Sequence, residues 1–335
     1  MPAAPHPSIP AHSAPRKRFS GRLRVWAVLR TPWPRRLLSA AFFLIAAVLI
    51  YRQVSTITVS AFLAALAATN PFAIALSIVL TGGSYLCLSG TEWLSLQALS
   101  HRLSYRQAAM VAIPAYALTN TAGFSPATGT ALRLQLYARH GLSARQSAAV
   151  AMLAGSAVSL SGLVAAGLLI VAAPYGLAAA LHGRIWIALL GGAILLAPAG
   201  LWFWAFTPHA PRWLGGGHPA LPAARTRLAG LLAGIGDWLF SGAALFALLP
   251  HPHLSTYPTY LAVYIIGCLL SAATGVPGGI GVFEAIVLAL SSVFSQVHET
   301  VAALLLYRCI YSLGPLSLFG AFTAARRAWR AFGRR

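Results

Sequence analysis

The chain is short of charge, and of negative charge above all. Charged residues make up 8% of its 335 residues, where soluble domains carry about 25%. The acidic ones are Glu92, Asp237, Glu284 and Glu299 alone. So little charge cannot cover a water-soluble fold of this size, whereas a lipid-facing surface needs none. With Asp237 as the only aspartate, the Asp clusters of metal-dependent phosphotransfer cannot be built. No HExxH, P-loop or GxSxG pattern occurs, so the usual enzyme motifs are missing. The three cysteines, Cys87, Cys268 and Cys309, lie inside apolar runs without CxxC or Cys/His spacing and read as small buried residues rather than zinc ligands. His251 and His253 flank a proline in a short loop and read as interfacial rather than as metal ligands. No cofactor is expected.

What is abundant is apolar sequence, 58% of residues, with a net charge of +20. The arginines sit at the ends of apolar runs rather than on a soluble face, which argues for a membrane protein and against a nucleic-acid partner. Residues 1–36, rich in Pro, Ala, Ser and Arg, read as a disordered basic tail held in the cytoplasm and able to meet anionic lipids. The first apolar run lies too far from the start for an ordinary cleaved signal and reads as an anchor. Apolar stretches long enough to cross a bilayer fall at about 37–54, 71–95, 146–173, 185–206, 228–249 and 300–324. Residues 57–69 are apolar but short, and suit the interface. A second basic tail, 325–335, places the C-terminus in the cytoplasm as well, and six crossings satisfy both ends. The expected domain between the tails is 37–324.

Two regions do not read as simple spans. Over 107–140, an apolar stretch breaks at Gly123-Phe-Ser-Pro126; Ser125 and Pro126 read as the start of a new helix ending at Arg139-His140-Gly141. Over 258–296, a second apolar helix breaks at Gly275-Val-Pro-Gly-Gly-Ile-Gly281, and another begins at Val282. Flanking charge places both ends of the first region inside and both ends of the second outside. The expectation is an all-α membrane protein of about six spans plus two oppositely oriented re-entrant pairs, as in an inverted repeat. Two further kinked spans are the simpler alternative.

Charges inside a membrane are costly and point to function. Arg133 shares a helix face with Gly129 and Tyr137 and has the planar fork that suits a phosphate; snorkelling or an ion pair in the bundle is the alternative. Gly278, Gly279 and Gly281 leave room for a headgroup. Glu284, three residues after Gly281, suits either a cationic headgroup or the backbone N–H groups of its own first turn. Arg308 can pair with Glu284, meet a lipid phosphate, or both. Asp237 lies mid-span, as a substrate contact or a proton relay. Glu92 lies nearer a span end and reads as interfacial. Gly230 and Gly234 form a GxxxG pair suited to helix packing.

Three segments have a family look. Asn120 with Gly129-Thr-Ala-Leu-Arg133-Leu-Gln-Leu-Tyr137-Ala-Arg-His-Gly141-Leu-Ser, then Val276-Pro-Gly-Gly-Ile-Gly-Val-Phe-Glu284-Ala, then Leu306-Tyr-Arg308-Cys-Ile-Tyr311-Ser-Leu-Gly-Pro315-Leu resemble motifs of the lysylphosphatidylglycerol flippase/synthetase family, in its membrane domain. The resemblance covers roughly 37–324. It implies a bacterial inner-membrane lipid translocase for aminoacylated phosphatidylglycerol or a related phospholipid; the candidate substrate contacts are Arg133, Tyr137, Gly278, Gly279, Gly281, Glu284 and Arg308 of the motifs, with Asp237 added for its mid-span position. Family members often carry a cytosolic synthetase domain after the membrane part. The sequence ends at Arg335, so none is expected here, and a separate lipid synthetase becomes a possible partner. A non-transporting scaffold and a membrane-embedded lipid-modifying enzyme are the alternative readings.

Overall fold

A computed structural model describes residues 60, 63–64, 67–122, 126–172, 184–205, 224–250, 252–274, 281–291 and 297–332. The first expected span, the N-terminal tail, Ser125, His251, Gly278 and Gly279 lie outside the described residues. Among the described residues there are ten α-helices and no strand: α1 Pro71–Ala98, α2 Tyr105–Ala122, α3 Pro126–Ala138, α4 Ala144–Ala172, α5 Ile185–Ala205, α6 Ala224–Phe246, α7 Tyr257–Thr274, α8 Val282–Ser291, α9 Val297–Tyr307 and α10 Gly314–Phe332. A π-helical stretch, Arg308–Leu313, joins α9 to α10 without a break.

The helix starts follow from local chemistry. Asn70 accepts the Phe72 N–H at 2.8 Å, and Pro71 opens α1 where no N–H is needed. Ser104 and Gln107 at α2, and Ser143 and Gln146 at α4, form the same reciprocal box, side chain to backbone N–H in both directions. At the far end of α3, Gly141 takes a φ of 80°, as its sequence position predicts.

Side-chain neighbours give the helix directions. Gly83 faces Phe240, Cys87 faces Gly236, and Gly90 faces Ala233, so α1 and α6 run antiparallel along their length. Gly234 packs on Ser161 and Gly230 on Ala157, so the GxxxG pair seats α6 alongside α4, running parallel to it. The main core gathers residues of α6, α7, α8 and the last span, with Tyr85 of α1, Ala117 of α2 and Ala165 and Ala166 of α4, and is built largely of Tyr, Leu and Ala.

Five helices are long and apolar enough to cross a membrane: Pro71–Ala98, Ala144–Ala172, Arg225–Phe246, Leu254–Thr274 and Glu299–Phe322. The fourth differs from expectation: α7 with its leading turn is long enough to cross by itself. The apolar part of α5 is shorter, Ile185–Pro198. The expected C-terminal tail continues the last helix as far as Phe332.

In the first broken region two helices pack antiparallel, and in the second α7 and α8 pack on each other. In the first, Thr119 meets Gly129 and Tyr116 meets Arg133, the register of two antiparallel helices. The end of α2 lies against the bundle, where Asn120 contacts Tyr85, halfway along α1, and Thr121 bonds the Ser312 carbonyl at 3.2 Å. In the second, Phe283 of α8 packs on Tyr264 and Gly267 of α7, and the start of α8 meets Arg308, midway along the last span. With 13 residues in α3 and 10 in α8, these helices extend about 20 and 15 Å, less than a bilayer core of about 30 Å.

Candidate functional site

Each short helix is tied to a long one by an ion pair. On α3, Arg133 Nε and Nη2 donate to the two oxygens of Glu92 on α1, each at 2.8 Å. Tyr137 Oη adds a bond to Glu92 at 3.0 Å, and the guanidinium lies 4.5 Å over the Tyr116 ring. Glu92 is fully buried and Arg133 is 5% exposed. Glu92 therefore differs from the sequence expectation. It is enclosed by protein rather than set at an interface, because α3 folds back against α1 and brings it a cation from 41 residues away. Gly129 makes this approach possible: a Cβ there would lie 2.0 Å from Thr119 Oγ1.

On α8, Glu284 pairs with Arg308 and also accepts the Gly281 N–H at 2.8 Å. Both roles foreseen for this carboxylate within the protein are present together. Gly281 has a φ of 90°, a conformation that glycine adopts without penalty and that lets the chain enter the helix with its N–H aimed at Glu284. The two pairs are reversed in sign: the short helix carries Arg in the first and Glu in the second. They also differ in exposure. The side chains of Arg308 and Glu284 are 26% and 18% exposed, against 6% and 0% for Arg133 and Glu92. Arg133 and Glu284, expected to grip opposite ends of a headgroup, each face an opposite charge of the protein.

Among the described residues Asp237 has no such partner. It is buried on α6, and its neighbours are hydroxyls: Ser84 Oγ donates to Oδ1, and Ser84 is bonded in turn to Tyr311 Oη at 2.8 Å. Tyr311 stacks on Tyr307, which bonds Tyr264 at 2.6 Å between hydroxyls. The sequence placed Asp237 mid-span but did not show these partners, which come from α1, α7 and the last helix. The π-stretch sets Tyr311 in place. Pro315 has no N–H for the carbonyl four residues earlier, that of Tyr311, and Tyr85 Oη donates to it at 2.9 Å instead. Tyr85→Phe is therefore expected to lower stability by about 1–3 kcal/mol by stripping a buried carbonyl of this donor. Pro315→Ala supplies an N–H, so the loss should shrink when both changes are combined. A double-mutant cycle on thermal unfolding in detergent measures this, and equal losses in both backgrounds would reject the account.

A cleft of about 1460 Å³ opens beside this network. Its walls come from α1, α2, α3, the π-stretch and α10, and are mostly apolar: Ile78, Leu86, Met110, Ile310, Leu318 and Phe322 are among them. Arg139, His140 and Gln135 line its α3 side, and Thr81 and Tyr85 line it from α1. Thr81 Oγ1 is buried with no hydrogen-bond partner among the described residues. The cleft was not foreseeable from sequence, since its walls are apolar like any lipid-facing helix. Small-molecule sites enclose roughly 300–1,000 Å³, so its volume and apolar lining suit a larger, chain-like guest.

A family model described as the lysylphosphatidylglycerol synthase TM region matches residues 38–320. The uncharacterized protein slr0712 of Synechocystis sp. is 28% identical over 257 residues, which is 71% of this chain and 76% of that protein. The inner membrane protein YbhN of Escherichia coli is 28% identical over 252 residues, 74% of this chain and 78% of that protein. The family match spans both broken regions, both ion pairs and the π-stretch, and so this chain, a multi-span membrane protein, belongs to the family of the lysylphosphatidylglycerol synthase TM region.

Proposed function

We propose that the protein is a bacterial inner-membrane lipid translocase of the flippase type, with both termini in the cytoplasm. The observation that carries this reading is the cleft: an apolar groove as large as a lipid's chains require, with a basic side at Arg139 and His140. An anionic phospholipid fits that pairing, its phosphate toward Arg139 and its acyl chains along Ile78, Met110 and Leu318. In this reading the two broken regions are oppositely oriented, as in an inverted repeat, and irregular backbone within a membrane is tolerated only if protein encloses it or water reaches it. The partly exposed Glu284–Arg308 pair is the second contact. An aminoacylated phosphatidylglycerol headgroup offers a phosphate to Arg308 and amines to Glu284, exchanging one ion pair for two.

The test is reconstitution of the purified protein into liposomes with headgroup-labelled phosphatidylglycerol and an impermeant quencher. Transbilayer movement should exceed that of protein-free liposomes by at least tenfold, an expectation set by about 1.4 kcal/mol of barrier lowering. Movement at the protein-free rate rejects the translocase. A lipid of changed mass in the same vesicles would identify an enzyme, and an unchanged, unmoved lipid a scaffold.

A further inference from the structure

Asp237 is a carboxylate enclosed at the centre of the bundle, and nothing in the lipid reading uses it. Its surroundings are titratable but not cationic. From α1 come Ser84, Tyr85 and Cys87; from α2, Tyr116, which sits against the Arg133–Glu92 pair; from α7, Tyr264 and Cys268; from α9 and the π-stretch, Tyr307 and Tyr311. The sequence of α4 brings only Arg145, at its far end, and Val158 and Ser161 are what it sets against α6. Among charged groups across the bundle, Glu284 and Arg308 neutralise each other. Two hydroxyl neighbours are too few for a hard metal cation, which takes six or more oxygens. A proton needs only one.

We propose that Asp237 is a proton-binding site whose occupancy is linked to the cleft through Ser84, Tyr311 and Tyr85. The proposal rests on the lipid reading of the cleft. With Asp237 ionised, Ser84 donates to its carboxylate. A proton arriving from water forms an O–H bond on Asp237, which then donates to Ser84 Oγ, and Ser84 turns its own hydrogen toward Tyr311 Oη. The Ser84–Tyr311 contact allows either atom to donate, so this reversal needs no heavy atom to move. Tyr311, itself a hydrogen-bond neighbour of Asp237, must then re-aim its hydrogen. Its backbone carbonyl is held by Tyr85, a wall of the cleft, so the state of the carboxylate and the wall facing lipid share one residue. Buried ionisable groups of this kind inside a membrane serve as proton relays in pumps and transporters, and reciprocity requires that a guest that shifts the proton be shifted by it.

The experiment is infrared difference spectroscopy during pH titration of the full chain in nanodiscs, of phosphatidylglycerol or of phosphatidylcholine. A carboxylic-acid carbonyl band should titrate in wild type and be missing in Asp237→Asn. Its midpoint should differ by about one pH unit between the two lipids. Ser84→Ala should keep the band and lose the difference, and so should Gly82→Trp, which fills the cleft. Thermal unfolding of each variant shows that the protein is folded. No Asp237-dependent band, or one midpoint in both lipids, overturns the proposal. The liposome assay separates this from the wider reading: lipid movement without a midpoint shift sinks the proton link alone, and a shift without movement supports the link while removing the translocase.

Discussion

Gly82→Trp is expected to bring transbilayer lipid movement down to the rate of protein-free vesicles while leaving the protein as stable as before. Gly82 lies on α1 in the wall of the cleft, and a Cβ added there meets nothing within 4 Å. An indole at this position enters the groove rather than the core. A glycine inside a helix is about 1 kcal/mol less favourable than alanine, so removing it also favours the folded state. Loss of function with no loss of stability is the opposite of what damage to packing produces. A series of Ala, Leu and Trp at position 82 should show movement falling as side-chain volume rises. Wild-type movement per folded molecule in Gly82→Trp would reject the cleft as the lipid path.

Glu92→Gln is expected to destabilise the protein by about 3–5 kcal/mol, because it leaves the Arg133 guanidinium buried without its counter-charge. Arg133→Lys should cost less, since an ammonium keeps the charge but cannot bond both carboxylate oxygens and stack on Tyr116 in one pose. Replacing both partners with methionine should recover most of the loss, because a buried pair replaced by apolar groups of similar size is close to neutral. The double variant also decides what Arg133 is for. Stability and lipid movement recovered together assign it to holding α3 against α1. Stability recovered with movement still absent assigns it to the headgroup, as the sequence motif suggested. Thermal unfolding and the liposome assay on the same preparations give both readings.

Much of the fold was legible because membrane helices are a matter of length and apolarity. The edges of α1, α4, α5 and α6 lie within about four residues of the spans read from the sequence, and Pro126 and Val282 begin helices as the sequence predicted. Gly141 ends α3 for the same local reason, its positive φ. Side-chain partners were legible within the family-like motifs: the Glu284–Arg308 pair, 24 residues apart, was foreseen as one of two roles for Arg308. Glu284 reaching back to Gly281 is a three-residue event, and it was foreseen. Arg133 with Glu92 spans 41 residues, and Glu92 was misread because nothing in its own helix shows that α3 will fold over it.

By itself the sequence determined the solvent of this protein, most of its described helices and the motifs of its family, since each depends on composition or on neighbours a few residues apart. Only the tertiary structure decided that Glu92 is enclosed, that Arg133 and Glu284 face protein partners, that Asp237 is met by hydroxyls, and that the walls of α1, α2, α3 and α10 leave a cleft. Those outcomes depend on which faces of distant helices meet. In a chain whose lipid-facing and core-facing surfaces are both apolar, hydropathy does not distinguish one face from the other.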